Sequence, residues 1–376
     1  MNARTAFALS VVCLCAAQAV ASFALTPMRS ELVPNRDVYG ALKPGEFAGT
    51  LMLGGFRGLA CDLLWMRATN AKEAGRFYES VALAASITRI QPRFEQIWEY
   101  MAWDMAYNIA AEVDDEAGKW SWFVAGVEVN AQGCLRNPQG DRLVRHLAWM
   151  FFHKGDDFRG RIEGANWAPL LNPVLAVIAP QLARAAVPQV ADAASLPLLA
   201  GSATVDPLPA TLAPFPAQPG QGNYQIAERL YRAAVAVAQA NQRKVAPWVM
   251  RMVAVAIERD GNRLRNAGRH REALLRWLAC LDEWQRIIAW GGQPASDADD
   301  RDDREITLEI GQHNDGRLRR KAALLAEQLA ADPAVGRATA DAIGALRLDE
   351  ARHALAAPDA WHETVARTRI RWLDER

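Results

Sequence analysis

The chain has no surplus of charge of either sign: Lys+Arg and Asp+Glu both number 43 across 376 residues. Proteins that grip nucleic acid neutralise phosphates with an excess of cations, so this balance argues against nucleic acid as a partner. Cysteine is scarce, with five in all. Cys13 and Cys15 lie in an apolar N-terminal stretch, and Cys61, Cys134 and Cys280 are far apart. No CxxC occurs and no His pair stands at zinc-finger spacing, which excludes the common structural zinc patterns. One disulfide among Cys61, Cys134 and Cys280 fits an oxidising compartment; buried free thiols are the favoured reading. Catalytic signatures are missing as well, with no GxSxG, HExxH or SxxK in the sequence. Gly54-Gly55-Phe56-Arg57-Gly58 is too short and wrongly spaced to cradle a dinucleotide or a phosphate, and reads as a flexible entry into a helix. No catalytic residue, metal or small-molecule cofactor is expected.

What the chain does have is apolar residues, 51% of the total, enough for two domains or one solenoid with appendages. Thr5 to Met28 contains no charged residue. At 1.5 Å per residue about 20 helical residues cross a bilayer core, so the run is long enough to span. Ala19-Val20-Ala21 before Ser22 also supplies the small residues of a signal-peptidase site. The uncharged stretch exceeds a usual signal core, which favours an uncleaved anchor. Arg4 on its N-terminal side points to a cytoplasmic N-terminus. In either case the bulk of the chain is expected outside the cytoplasm: periplasmic on an inner-membrane anchor, or secreted or periplasmic after cleavage.

Pattern and punctuation divide the rest. Residues 1–29 form the membrane or signal segment and 30–52 a connector with Pro34, Gly40, Pro44 and Gly45. Residues 53–167 carry helical periodicity, 168–222 are an Ala/Pro-rich linker, and 223–376 are helical again. Within the linker, Leu170 to Val187 reads as short helices broken at Pro173, Pro180 and Pro188, and Pro197 to Gly222 as extended chain. Those prolines and Arg184 argue against a second membrane span there. The acidic stretch Ser296 to Glu305 reads as a solvated loop before a last helical section, about Leu318 to Leu373.

The fold reading rests on repeats. Gly75, Phe77, Ser80, Ala84, Ile87, Ile90 and Pro92 are spaced as the turn and second helix of a helical hairpin, with Leu64, Ala68 and Ala71 on the first helix. Trp98, Met101 and Ala102 open a second unit that closes with Phe123, Gly126, Asn130, Gly133 and Pro138. Leu147, Ala148, Phe151 and Gly155 open a third, and Ile257, Gly261, Leu264, Gly268, Ala273, Leu274, Trp277 and Cys280 match again further on. These residues resemble tetratricopeptide repeat proteins. The segments from Gly54 to Leu59, Ala102 to Asn108, and His153-Lys154 resemble a bacterial envelope-associated group. The resemblance implies an all-α, tetratricopeptide-like hairpin solenoid behind a transmembrane or signal helix, and brings no activity with it.

In such a fold the first helix of each hairpin lines the concave surface. Helical period then exposes Asp62 and Trp65, Gln96, Glu99 and Trp103, and Arg142, Arg145 and Trp149 as a partner-binding groove. Tryptophan supplies contact area and arginine a fork for a carboxylate; packing of these tryptophans in the core is the competing reading. His146 and His153 share a helix face without a third ligand, and Asp297, Asp299, Asp300, Asp302 and Asp303 lack the Gly and Glu of a calcium loop. The expectation is a membrane-tethered scaffold that binds a protein or peptide in an envelope assembly, secretion or transport machine. The alternatives are an envelope-polymer hydrolase or transferase with a dispersed active site, and a structural subunit covered by a permanent partner.

Overall fold

A computed structural model describes Cys13, residues 56–186 and residues 213–362. The protein is all-α: no strand forms among the described residues, apart from an isolated bridge between Ala330 and Trp361. The chain divides into two compact units at Asn137/Pro138, rather than at the proline-rich tract. Apart from Cys13, the expected anchor or signal segment and the connector lie outside the described residues. No helix among those described is long and apolar enough to cross a membrane.

The first unit contains α1 (Arg57–Glu73), α2 (Phe77–Ile90), α3 (Glu95–Trp103) and α4 (Glu116–Arg136), with a π-helical turn, Asp104–Ile109, continuing α3. α1 packs on α2 and α3 on α4, with α2 also against α3. The core between them is built from Cys61, Ala84, Ile87, Ile97 and Met101. Gly126 lets α4 approach α3, since a methyl there would stand 2.7 Å from the Ala102 carbonyl oxygen. The turn between α2 and α3 is tied to the end of α4: the Pro92 carbonyl accepts from Trp98 Nε1 at 3.0 Å and from Asn137 Nδ2 at 3.1 Å.

The second unit contains α5 (Asp141–Lys154), α6 (Arg159–Gly164), α7 (Ala168–Ala186), α8 (Asn223–Ala240), α9 (Pro247–Asn266), α10 (His270–Gly291), α11 (Ala298–Leu329), α12 (Pro333–Gly344) and α13 (Leu348–Leu355). From α8 to α13 each helix packs on the next, while α5 finds its partner in α8, beyond the proline-rich tract. Two readings of the sequence are corrected here. Leu170 to Ala186 is not a set of broken pieces but part of one helix, α7, with Pro173 and Pro180 inside it. Both prolines sit on its exposed side, while Leu171, Val174, Leu175 and Ile178 form the buried stripe that holds it. The acidic stretch is likewise no loop. Asp297 caps α11 by accepting the Asp300 N–H at 2.8 Å, and Asp299 and Asp300 occupy the first turn, where carboxylates favour the positive end of the helix dipole.

Three helix–helix turns repeat one geometry together with an arginine–glutamate pair, and a fourth, Asn241-Gln242-Arg243, repeats the backbone without the pair: Gln242 has φ 52° and the Arg243 N–H donates to the Ala238 carbonyl at 2.9 Å. At Ala74-Gly75-Arg76, Ala267-Gly268-Arg269 and Ala345-Leu346-Arg347 the middle residue has positive φ, at 72°, 80° and 58°. The following arginine N–H donates five residues back, to Ala71, Leu264 and Ala342, at 2.8, 2.9 and 2.8 Å, the hydrogen bond that closes a left-handed helix stop. The same arginine then pairs three residues on, with Glu79, Glu272 and Glu350. Glycine takes this conformation without strain at the first two turns, and Leu346 takes it at the third.

Candidate partner-binding faces

In the first unit the candidate residues separate by helix face. Asp62 is exposed, whereas Trp65 is half-buried against the core, its ring 4.8 Å from that of Tyr100. On α3, Ile97, Met101 and Ala102 are buried, so Gln96, Glu99 and Trp103, at i, i+3 and i+7, fall on the outer side. Trp103 is 40% exposed and stacks on Tyr107 at 4.1 Å with an interplanar angle of 12°. This stack sits where α3 passes into its π-helical turn, a feature frequent at functional sites. Beneath it, buried Asp104 receives Lys72 Nζ at 2.5 Å and Asn108 Nδ2 at 2.6 Å. Burial works against the Lys72 ammonium, but Asp104 and Tyr100 outweigh it and hold its pKa above the ordinary lysine value. Burial, then the Asp104 charge, pushes the Tyr100 phenol up. The turn is therefore pinned at Asp104, while Trp103 is exposed and Tyr107 is half-buried behind it with its hydroxyl out of solvent.

In the second unit Arg142, Arg145 and Trp149 lie on α5, all half-buried. Arg145 reaches Asp141 at 3.5 Å, and its guanidinium lies 5.7 Å from the ring of Trp248, which α9 contributes and which is 41% exposed. Trp149 stacks on His153 at 5.0 Å. His146 is buried and His153 exposed, so the two histidines do not present one site. Trp103 and Trp149 belong to different units.

Sequence reasoning missed Tyr107 and Trp248. Tyr107 was within reach, four residues after Trp103 and so its neighbour on a helix. Trp248 comes from a helix about a hundred residues beyond Arg145, and no local spacing reveals that. Also missed was a ladder of alternating charges inside the second unit. Glu163 pairs with Arg263, Arg263 with Asp260, Asp260 with Arg276, Arg276 with Glu228, Glu228 with Arg232, Arg232 with Glu283, and Glu283 with Arg286. Burial disfavours the Arg232 and Arg276 cations, yet the neighbouring carboxylates hold both pKa values above the ordinary arginine value. Each charge is answered from within, so the ladder fixes the register of α8, α9 and α10 rather than offering a ligand site. Cys61, Cys134 and Cys280 are buried free thiols, and burial drives the thiol pKa of each upward, which makes them inert.

No protein-family model, no curated protein and no solved structure matches this chain.

Proposed function

We propose that the chain is a membrane-tethered, extracytoplasmic scaffold of tetratricopeptide-like hairpins that captures a protein or peptide segment in an envelope assembly, secretion or transport machine. The repeated turn supports the hairpin part of this reading, and the uncharged run Thr5 to Met28 supports the tether. The observation that carries capture is the Trp103–Tyr107 stack, exposed at Trp103 and adjoining the ion pair of half-buried Lys72 with buried Asp104. An aromatic plate that is already ordered loses little freedom on binding, so more of its contact area appears as affinity. Gln96 and Glu99 beside it supply polar groups for a backbone or a basic side chain. On α5, Arg145 lies against the Trp248 ring, and with Arg142 on the same helix it suits a segment that carries carboxylates. A tether would raise the effective concentration of both platforms near a membrane-bound partner.

The test is co-purification from native membranes, quantified by mass spectrometry. Trp103→Ala and Arg145→Glu should each deplete the same partner at least about tenfold, the effect of losing roughly 1.4 kcal/mol. The melting temperature should hold, because both side chains are partly exposed. A partner retained by both variants, or a several-kcal/mol loss of stability in Trp103→Ala of the kind that core truncation gives, would refute capture at these faces.

A further inference from the structure

We infer that α1 pairs with α1 of a second copy of this chain, in a parallel, in-register, two-stranded coiled-coil contact. The helix is apolar on two sides. One side, with Cys61, Ala68 and Ala71, is buried in the first unit. The other carries Phe56, Leu59, Leu63 and Met66, exposed by 54%, 56%, 51% and 54%, and then exposed Asn70. Their spacing is three, four, three, four, the repeat of a coiled-coil seam with Phe56, Leu63 and Asn70 at a and Leu59 and Met66 at d. Large apolar side chains exposed singly are ordinary; four in register along one helix face mark a surface built to be covered.

The flanking charges select what covers it. In this register Asp62 is at g and Arg67 at the following e, and both are exposed. In a parallel pair the g residue of one helix meets the e residue five positions on in its partner, so Asp62 and Arg67 form two equivalent ion pairs. An antiparallel pair brings g beside g and e beside e, so Asp62 and Arg67 would lose this pairing. Asn70 agrees: a single asparagine at an a position fixes register, because its amide is satisfied by the same residue opposite. A lipid surface fits less well, since an interfacial helix presents a polar face rich in cations opposite its apolar one, and here that face is packed in protein. In the parallel sense the chain N-terminal to α1 leaves from the same end in both copies, which suits two tethers entering one membrane; this point alone rests on the proposed tether. The seam is two heptads long, so the contact is reversible rather than permanent. It does not depend on the aromatic platforms.

The experiment uses the full chain in mild detergent, with sedimentation measured over a concentration series. Wild type should show a monomer–dimer equilibrium, and Leu63→Glu should raise the dissociation constant at least about 30-fold, the loss expected of a central anchor. Helical circular dichroism and melting temperature should not change, because Leu63 is exposed. Asp62→Arg and Arg67→Asp should each weaken the dimer, and the two together should restore it. In a chain with Cys13→Ser and Cys15→Ser, Leu63→Cys should form a disulfide-linked dimer in native membranes, whereas Ala82→Cys on the outer side of α2 should not. A chain monomeric up to about 100 µM overturns the inference, that concentration being far above a micromolar dissociation constant. So does a dimer insensitive to Leu63→Glu, a double charge swap that fails to restore pairing, or a Leu63→Glu defect seen only as lost binding to anionic vesicles.

Discussion

Asp260 has no exposed surface, and its two oxygens meet Arg263 at 3.0 Å, Arg276 at 2.9 Å and Gln225 at 3.0 Å. Removing it would take one carboxylate from each of two mostly buried guanidinium groups, leaving Arg263 with Glu163 and Arg276 with Glu228. Asp260→Ala should cost about 3–5 kcal/mol, read as a loss of urea or thermal stability, as breaking a buried pair does. Gly75 and Gly268 make a subtler test. A methyl at either meets nothing within 4 Å, so Gly75→Ala and Gly268→Ala should each cost about 1 kcal/mol through backbone strain alone. Leu346→Gly, in the same conformation, should be neutral or stabilising by up to about 1 kcal/mol. A Gly75→Ala variant as stable as wild type would show that the turn is not held as described. Acid sensitivity has a local source in Asp300, whose pKa is held below the ordinary carboxylate value by hydrogen bonds from Arg304 and the Ser296 N–H. A depressed carboxylate stabilises the fold above about pH 4 and stops doing so as pH falls through its folded value. Asp300→Asn should therefore melt below wild type at pH 7, with the gap closing in acid; a gap that widens in acid would reverse the sign of this account.

At the scale of elements, most of the helices were legible from small residues and glycine punctuation. Gly75 and Gly268 stop α1 and α9 where the spacing predicts, because a residue without Cβ takes the left-handed turn freely. The third such turn was not legible as a stop, because Leu346 stands where glycine would signal it. What it shares with the others is the arginine that follows and the glutamate three residues later. Proline was over-read in α7: counting prolines ignores which face they occupy, and four buried apolar residues on the opposite face hold the helix together. Asn172 adds two hydrogen bonds to the Phe215 backbone, a tie 43 residues away that no local pattern contains. Charge density misled at Ser296 to Glu305 for a related reason. A run of carboxylates is costly in a helix middle but favourable at a helix start, and Asp297 makes it a start.

For the whole molecule, the sequence located two helical blocks but placed the division between them at the proline-rich tract. The boundary in sequence instead falls at Asn137/Pro138, because α5, opening after that point, pairs with α8 on the far side of the tract. A hairpin completed across an insertion looks, in sequence, like one half ending and another beginning. Of the candidate face, Gln96, Glu99 and Trp103 were legible from helical period on α3, while Trp65 turned toward the core that the same period placed one step away. The tether and the partner remain proposals at this scale, and capture at the α3 face is the claim from which the rest of the function follows. The direct measurement is a photoreactive amino acid placed in the living cell at position 103, with position 89, on the exposed back of α2, as its control. The account predicts a discrete cross-linked protein at 103 that is absent at 89 and disappears on adding Tyr107→Ala; identical cross-linking at both positions, or none at either, would contradict it.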